Sequence, residues 1–364
     1  MTSNAQRIFR QTLLGTLLAL LLGSAPAAES CRIAFDMGSS GIRAGASGSG
    51  ATPRVDIDYL APLWAGRGLE ETLAPTIAAL RELPVAGGFA ASCPRVGGGF
   101  SAWRLALQQD RGQLATTLAQ IRTASQVAVL VIPPRQEGAY GYLGARQLLG
   151  EKLTTSHVLD IGGGSLQIAG ERTTFADALG QKVWQRSLCQ EIRNSEVSPC
   201  MLQPMTGEEL EIARSLLAEK LQGVAPALPE TVTLTAISRP VSRGVLPAIS
   251  RVFPETAAAG GFSRSALSAA IERIARLTHA ETVALLGSQT PYVSYLLSDM
   301  LLVEGLMTAA GSDYLQVAEL DLTNLPGLLA DDQAFAWERH YGCYLERLQR
   351  VGLDAYASDP ATCP

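Results

Sequence analysis

Histidine is scarce in this sequence, and closely spaced cysteine pairs are missing. The 364 residues include three histidines, His157, His279 and His340, and no two of the six cysteines form a CxxC pair. Zinc sites in proteins are built from closely spaced cysteine and histidine ligands. The sequence therefore argues against a zinc centre.

The sequence also lacks an excess of positive charge. Lys and Arg total 29 against 34 Asp and Glu, which gives a formal net charge of −5. Proteins that bind nucleic acid over a broad surface show a basic footprint, because phosphate contacts dominate that binding. We expect no nucleic-acid partner, and a local basic groove for a smaller anion stays open.

Only one long hydrophobic run is present, near the N-terminus. Arg7 and Arg10 precede the apolar run 13–22, and the small-residue segment 23–28 follows. A basic start, a short apolar run and a small-residue cleavage point describe a secretory signal peptide. The run is shorter than the roughly 20 residues of a membrane helix. We expect removal of residues 1–27, a periplasmic location and no stable membrane span afterwards; an uncleaved anchor is the alternative.

The six cysteines suit an oxidising compartment, because an even count in an exported chain favours disulfides. Proximity along the chain favours Cys189–Cys200 and Cys343–Cys363, which leaves Cys31–Cys93. The second of these pairs would attach the C-terminal tail, and the third would join the first strand to a neighbouring one. Spacing alone does not select among the alternative pairings.

Two glycine-rich stretches carry most of the functional information. Residues 32–43 have the sequence RIAFDMGSSGIR, and residues 158–168 have the sequence VLDIGGGSLQI. Each is a short apolar run, then Asp, then Gly and Ser, then a second apolar run, which predicts strand, tight turn, strand. Glycine lets backbone N–H groups approach phosphate oxygens, because no Cβ intervenes. The repeat predicts duplicated halves that each offer a loop to one phosphate group.

The rest of the chain predicts alternating helices and strands around these hairpins. Hydrophobic periodicity predicts helices over 69–83, 104–123, 137–149, 206–221, 263–286 and 294–310, and strands at 55–60, 127–132, 181–188, 232–237 and 314–317. Pro84 is expected to end the first helix, and the glycines at 97–99 and 260–261 to form turns or linkers. Thr206 and Ser263 are expected to cap helices. The length suits two domains, 28–150 and 151–324, with a tail 325–364 that packs on the core.

Four motifs in order along residues 32–190 resemble those of one family. Residues 36–40, DMGSS, resemble its first phosphate motif, and residues 160–165, DIGGGS, its second. Between them, residues 100–106, FSAWRLA, are similar to its Ser-Ala-x-Arg-x-Ala segment, and residues 131–144 to the segment that holds its catalytic glutamate. The family is that of the exopolyphosphatases and guanosine pentaphosphate phosphatases, in the actin-like ATPase superfamily with the sugar kinases and Hsp70.

The resemblance implies an α/β fold of two ribonuclease-H-like (actin-like ATPase) domains on either side of a central cleft. It implies a Mg²⁺-dependent phosphatase acting on polyphosphate or another phosphoanhydride. The catalytic residues would be Glu137, which activates the attacking water, and Arg104. Asp36 and Asp160 would hold Mg²⁺ through waters. The phosphate-binding residues would be Gly38, Ser39, Ser40, Arg43, Gly162, Gly163, Gly164 and Ser165, with the guanidinium of Arg43 or Arg104 binding phosphate by its planar fork.

Purely structural roles are open for the same residues. Asp36 and Asp160 can bond within their own turns. Glu137 opens a predicted helix, where acids are favoured by the helix dipole. Arg43 and Arg104 can be solvated surface charges.

Two departures from the family pattern leave other functions open. The second motif usually continues Ser-Thr-Glu, but here Gln167 follows Ser165-Leu166 and supplies no negative charge to a metal. Arg135-Gln136 stand where two acids usually precede the glutamate. A second hypothesis is therefore a family member without turnover that binds a phosphorylated ligand or a protein partner. A third is an ATP-using member, which an exported location disfavours, and a homodimer is also open.

Overall fold

Two mixed β-sheets organise the chain. The computed structural model describes residues 31–229, 231–254, 260–287, 292–320 and 324–363, so the predicted signal peptide, 1–27, lies outside the described residues. The strands of the first sheet are β1 (Ile33–Met37), β2 (Gly41–Ala46), β3 (Arg54–Asp56), β4 (Arg95–Gly99) and β5 (Ala128–Val131), in the order β3-β2-β1-β4-β5. Those of the second are β6 (His157–Ile161), β7 (Leu166–Gly170), β8 (Thr174–Asp177), β9 (Leu234–Ala236), β10 (Gly261–Ser263) and β11 (Tyr314–Val317), in the order β10-β11-β9-β6-β7-β8.

Helices cover both sheets. In chain order they are α1 (Leu60–Trp64), α2 (Glu70–Ala86), α3 (Ser101–Gln109), α4 (Arg111–Ser125), α5 (Pro134–Leu149), α6 (Gln181–Arg193), α7 (Gly207–Lys220), α8 (Val224–Ala227), α9 (Leu246–Val252), α10 (Arg264–Ala275), α11 (His279–Leu286), α12 (Leu296–Ala309), α13 (Leu325–Ala330), α14 (Asp332–Arg339), α15 (Tyr341–Val351) and α16 (Asp354–Ala357). Within the described ranges, none of these helices is long and apolar enough to cross a membrane.

The two sheets repeat one arrangement. β1 pairs antiparallel with β2 and parallel with β4, and β6 pairs antiparallel with β7 and parallel with β9. β5 and β11 then extend the parallel part of each sheet. Parallel strands end at the same edge of a sheet, and ligands bind outside that edge in open α/β sheets. The repeat therefore points both glycine loops into the space between the sheets.

Each sheet has its own hydrophobic core. The first core combines sheet one, α2 to α4 and the C-terminal helices α13 to α16. The Tyr341 hydroxyl donates to the Val129 carbonyl at 2.8 Å, and the Val131 N–H donates to the Tyr344 hydroxyl at 2.8 Å. The tail thus packs beside β5 through buried hydrogen bonds. The second core combines sheet two with α6, α7, α10 and α12.

Three disulfides stabilise the two cores. They join Cys31 to Cys93, Cys189 to Cys200 and Cys343 to Cys363. The second and third are the pairs that proximity favoured, and the first is the pair that remained. The first and third lie in the first core region and the second beside α6, so each half contains at least one cross-link, which restricts its unfolded chain.

The glycine run at 97–99 lies in β4, between β1 and β5, so the prediction of a turn or linker there was wrong. A Cβ on Gly97 would lie 2.8 Å from Met37 Sδ, and one on Gly99 would lie 2.8 Å from Trp103 Cγ. A Cβ on Gly98, which faces the other side of the strand, would lie 2.9 Å from Leu328 Cδ2. Side chains therefore fill the space on both faces of the strand, and only glycine fits there. Gly261 likewise belongs to a strand, whereas Gly260 turns with a φ of +62°.

The segment 181–188 is the start of α6 and not a strand. Its buried residues, Trp184, Gln185, Leu188 and Cys189, recur at helical spacing. Pro84 also fails to end a helix, because α2 continues to Ala86. The predicted strand at 55–60 is shorter, since β3 stops at Asp56 and α1 begins at Leu60.

Two long predicted helices are each divided by a cap. Asp110 separates α3 from α4 and accepts a hydrogen bond from the Gln113 N–H at 2.8 Å. Thr278 begins α11 with a capping box and so separates it from α10. The predicted caps at Thr206 and Ser263 are present as such. Side-chain caps inside a continuous hydrophobic pattern thus mark the helix boundaries that periodicity alone misses.

Candidate functional site

A cleft of about 310 Å³ lies between the two sheets. The residues predicted from sequence that line it are Asp36, Gly38, Ser39, Ser40, Arg43, Glu137, Asp160, Gly162, Gly163 and Ser165. Arg104 and Gly164 are not part of this lining and lie directly behind it. The fold therefore gathers residues from four separated segments at one place.

The first loop is bonded to the segment that follows β3. The Gly38 N–H donates to the Gly41 carbonyl at 3.1 Å and closes the turn. Backbone N–H groups of Ile57 and Tyr59 donate to the carbonyls of Ser40 and Ser39, both at 3.2 Å. Gly41 has a φ of +150°, and a Cβ there would lie 2.3 Å from the Val55 carbonyl oxygen. Only glycine allows this close approach.

The second loop is bonded to the N-terminus of α6. The Gly162 N–H donates to the Ser165 carbonyl at 2.9 Å. The N–H groups of Gln181 and Lys182 donate to the carbonyls of Gly162 and Gly163 at 2.9 and 2.8 Å. Two of the four N–H groups that a helix leaves unpaired at its start are thereby used to position the loop.

The two loops touch each other across the cleft. A Cβ on Gly163 would lie 2.5 Å from Ser39 Oγ, and a Cβ on Gly164 would lie 2.8 Å from Ser101 Oγ. Glycines at both positions therefore allow the serines of the first half to approach the second loop. The contact makes the loops two sides of one site.

Glu137 and Arg104 form a buried ion pair behind the loops. Arg104 Nη2 donates to Glu137 Oε2 at 2.7 Å and to Ser165 Oγ at 3.1 Å, and Nη1 donates to the Ile132 carbonyl at 3.0 Å. The two side chains are 8% and 9% exposed. A charged pair at this depth needs such hydrogen bonds to offset its desolvation. Arg104 thus positions Glu137 and Ser165, which belong to different halves.

Helix α5, which contains Glu137, is packed against other elements on two sides. A Cβ on Gly138 would lie 2.6 Å from Thr174 Cγ2 of β8, so the helix packs closely on the second sheet. On its other side Tyr140 donates to the carboxylate of Asp331 in the tail. A Cβ on Gly327 would lie 2.5 Å from Tyr140 Cα. The C-terminal tail therefore determines where Glu137 sits, although it lies far away in sequence.

Asp36 is held in an unfavourable environment for a negative charge. Burial, together with the nearby carboxylate of Glu137, raises the pKa of Asp36 to about 6. The cations Arg43, Arg54 and Arg239 act in the opposite direction. The arginines only partly offset the burial of Asp36 and its repulsion by Glu137. The two neighbouring carboxylates therefore favour a bound cation between them.

The carboxylates of the cleft suit a Mg²⁺ ion whose remaining ligands are waters and substrate phosphates. In the part of the chain that the structure describes, no group of three or more His, Cys, Asp or Glu side chains is placed to hold a metal. Mg²⁺ is usually held by one or two carboxylates, with waters and substrate phosphates completing the octahedron. Asp36 and Asp160, which line the cleft from opposite sheets, provide that number.

Sequence reasoning missed several polar residues of the cleft. They are Arg54, Gln181, Ser238, Arg239 and Asn324. Ser238 and Arg239 lie two and three residues beyond the end of β9, which is parallel to β6, so the rule for the carboxyl ends of parallel strands would have found them. The other three had no local signal. Ser238 Oγ and Asn324 Oδ1 are buried and have no hydrogen-bond partner among the described residues.

A family model matches more than half of the chain. The model is that of the Ppx/GppA phosphatase family, and it matches residues 114–322. The match includes Glu137 and the second glycine loop. A comparison with curated proteins finds no match.

Solved structures similar to this chain show the same fold. A Ppx/GppA family member from Aquifex aeolicus superposes with a TM-score of 0.61 at 17% identity, covering 82% of this chain and 96% of that one. An exopolyphosphatase from Cytophaga hutchinsonii superposes with a TM-score of 0.58 at 15% identity, with coverage of 82% and 96%. The predicted fold, two actin-like α/β domains around a cleft, is confirmed. The domain boundaries given above stay a prediction.

Proposed function

The chain belongs to the Ppx/GppA phosphatase family, and on this basis we propose that it is an exported, Mg²⁺-dependent phosphatase that releases phosphate from polyphosphate. One observation supports the proposal most directly. Glu137 lines the cleft between two glycine loops, with one carboxylate oxygen on Arg104. Its other oxygen, Oε1, has no hydrogen bond to the residues that the structure describes. A carboxylate so placed can accept a proton from a water in the cleft.

The loops supply what phosphoanhydride hydrolysis needs from a protein. Charge in phosphoryl transfer is spread over the transferred oxygens, so catalysis is mainly positioning and electrostatic stabilisation. Backbone N–H groups and the Ser39 and Ser165 hydroxyls face the cleft from opposite halves and can bond phosphate oxygens. Glu137 would orient the attacking water and take its proton. Mg²⁺, when bound at Asp36 and Asp160, would neutralise charge on the bridging and transferred oxygens.

The remaining polar groups of the cleft favour an extended anion as substrate. Arg43, Arg54 and Arg239 line it from both sheets. Ser238 Oγ, buried and unpaired within the described residues, can donate to a phosphate oxygen, and the NH₂ group of the Asn324 amide can do so when the two ends of that amide are exchanged. Asn324 lies beside Gly141, which is four residues, about one helical turn, beyond Glu137 on α5. A chain of phosphates that runs past the reaction centre would reach these groups.

Phosphate release from long-chain polyphosphate tests the proposal. We expect release that requires Mg²⁺ and that falls about a thousandfold in Glu137→Gln, because a positioned base contributes about 10² to 10⁴ in rate. Glu151→Gln is the matched control, since Glu151 is exposed just after α5 and away from the cleft. No phosphate release from any phosphoanhydride by the folded, disulfide-bonded protein would overturn the proposal.

A binding protein without turnover is the second candidate. Gln167 donates to Ser165 Oγ at 3.2 Å and brings no negative charge beside Asp160. This favours ligand binding over metal-assisted hydrolysis. Tight binding of polyphosphate without release, unchanged by Glu137→Gln, would select this candidate.

A further inference from the structure

A buried carboxyl lies directly behind one wall of the cleft. Gln181, the first residue of α6, lines the cleft. Its terminal amide lies 2.6 Å from Asp299 Oδ2, on α12. Asp299 is 1% exposed, and its other oxygen, Oδ1, has no partner among the described residues.

Asp299 has no cation to balance a charge. In the described part of the chain, its hydrogen bond comes from the neutral amide of Gln181, and it forms no salt bridge. An isolated ionised carboxylate at this depth costs several kcal/mol, and such groups remain neutral instead. Burial accordingly raises the pKa of Asp299 well above its usual range. The neutral acid has one O–H group that must find an acceptor.

The short contact is compatible with an O–H donor. A distance of 2.6 Å is close to the usual length of an O–H···O bond, whereas N–H···O bonds centre near 2.9 Å. The two ends of a glutamine amide are assigned from the hydrogen-bond network, because their heavy atoms are nearly alike. An acid that donates to the amide oxygen leaves the amide NH₂ group turned away from itself and free for another acceptor.

We propose that Gln181 is a phosphate-binding residue of the cleft and that Asp299, as a neutral carboxylic acid, positions its amide with the NH₂ group toward the ligand. The inference rests on the proposed function, since it concerns the same anion site. Gln181 is suitably placed, because its backbone N–H already bonds the second glycine loop at Gly162. The start of α6 also presents the positive end of a helix dipole to an anion.

Other charged groups around Asp299 are engaged elsewhere. Tyr295, one turn back along the chain, is the titratable group that senses the charge of Asp299. Lys182, next to Gln181 on α6, pairs with Asp58. Arg214 of α7 forms ion pairs with Glu272 of α10 and with Glu304, which lies further along α12. Arg243, from the helical turn Pro240–Val245 that also packs on α12, pairs with Glu319, and Arg239, just before that turn, faces Asp36.

Binding of inorganic phosphate, followed by calorimetry with Mg²⁺ present, tests the role of Gln181 without any need for turnover. Gln181→Ala should weaken phosphate binding about tenfold, the effect of one hydrogen bond to a charged group. Gln181→Glu should weaken it about a hundredfold, because a carboxylate repels the anion. Gln190→Ala is the matched control, since Gln190 is exposed near the other end of the same helix. Binding by Gln181→Ala and Gln181→Glu equal to that of the wild type would overturn the proposal.

The role of Asp299 is tested by its pH dependence. Asn can donate an N–H to the Gln181 oxygen, so Asp299→Asn should bind phosphate within about twofold of wild type, whereas Asp299→Ala should bind about threefold more weakly. At alkaline pH the ionised acid would attract the NH₂ group, so wild-type affinity should fall while Asp299→Asn stays constant. A protonated-carboxyl infrared band at pH 7.5 should be present in wild type and missing in Asp299→Asn. A wild type without that band would contradict the assignment.

The outcomes separate this inference from the proposed function. Suppose that the wild type binds phosphate, that Gln181→Ala does not, and that the wild type releases no phosphate from polyphosphate. This result would contradict the proposed hydrolysis alone. Hydrolysis of polyphosphate by the wild type, together with equal phosphate binding by the wild type and Gln181→Ala, would contradict the inference alone. A wild type that neither binds phosphate nor releases it from polyphosphate would overturn both.

Discussion

The two glycine hairpins have the same backbone arrangement but differ in the residue that lies opposite the aspartate across the ladder. Asp36 is the fourth residue of β1 and faces Arg43 across the ladder, whereas Asp160 is the fourth residue of β6 and faces Gln167. Side chains directly opposite each other in an antiparallel pair are close enough to interact. The first hairpin therefore places a cation beside its acid, and the second places a neutral amide there.

The hairpins also differ in what supports their turns. Extended backbone after β3 bonds the first loop, and the N-terminus of α6 bonds the second. The first half thus offers two arginine side chains, Arg43 and Arg54, to an anion, whereas the second half offers one, Arg239, together with neutral donors and a helix dipole. Duplication preserved the geometry of the turn, while the electrostatic contributions of the two halves became different.

The largest effect on phosphate release should come from a substitution at Gly180, which supports the second loop. A Cβ at Gly180 would lie 2.4 Å from the Ser165 nitrogen and 2.5 Å from the Gly162 oxygen, so Gly180→Ala must displace the loop backbone. We expect phosphate release to fall about a hundredfold, because misplacement by about 1 Å costs that much, and Tm to drop. Gly38→Ala in the first loop meets nothing within 4 Å and should keep the wild-type Tm. Equal Tm values for the two variants would refute this difference in support.

The next effect concerns the acid of the first hairpin. An acid whose pKa is higher in the folded than in the unfolded protein binds more protons when folded, so stability falls as pH rises between the two values. For Asp36 this window runs from 3.8 to about 6. Metal-free Asp36→Asn should therefore be more stable than wild type at pH 7.5, by about 2 kcal/mol after allowance for solvent screening. The difference should vanish near pH 4 in denaturant unfolding, and a constant difference at both pH values would contradict it.

A smaller effect should follow from making the second hairpin more acidic. Gln167→Glu adds a carboxylate opposite Asp160, and an added oxygen ligand of negative charge favours Mg²⁺. We expect the Mg²⁺ concentration for half-maximal phosphate release to fall about fivefold. Asp160→Asn, measured in parallel, should raise it. If neither substitution changes the Mg²⁺ requirement, the second hairpin does not hold the metal.

The smallest effect should come from the ion pair that joins the two halves at the cleft rim. Lys182 Nζ lies 3.3 Å from Asp58 Oδ1, and the aspartate side chain is 54% exposed. Solvent-exposed pairs contribute about 0 to 1 kcal/mol. Lys182→Met should therefore change the free energy of unfolding by less than about 1 kcal/mol. A double-mutant cycle with Asp58→Asn isolates the pair, and a coupling well above that value would show a stronger link between the halves.

Local sequence patterns predicted the hairpins and several boundaries correctly. The alternation around residues 36 and 160, with Gly and Ser between apolar runs, restricts the chain to strand, turn and strand whatever surrounds it. The caps at Thr206 and Ser263 are equally local, because the capping side chain bonds a backbone N–H three residues away. Cysteine proximity predicted Cys189–Cys200 and Cys343–Cys363 for a similar reason, and Cys31–Cys93 was the pair that remained.

Predictions failed where distant residues set the outcome. The glycines at 97–99 form a strand because Met37 and Trp103 fill the space beside them. Arg54, Gln181 and Asn324 reach the cleft through packing of elements far apart in the chain, and nothing in their neighbouring residues marks them. The predicted roles of Glu137, Asp36 and Asp160 stay predictions until the variants are measured.

The sequence by itself determined the family, the two phosphate-type loops and the acids near the ends of β1 and β6, because each depends on a few consecutive residues. Only the tertiary structure decided that Arg104 pairs with Glu137, that the tail positions α5, and that Asp299 lies behind Gln181. These contacts join residues 33, 191 and 118 positions apart. Which side chains meet over such separations depends on how helices and sheets pack, and short-range patterns hold no record of that packing.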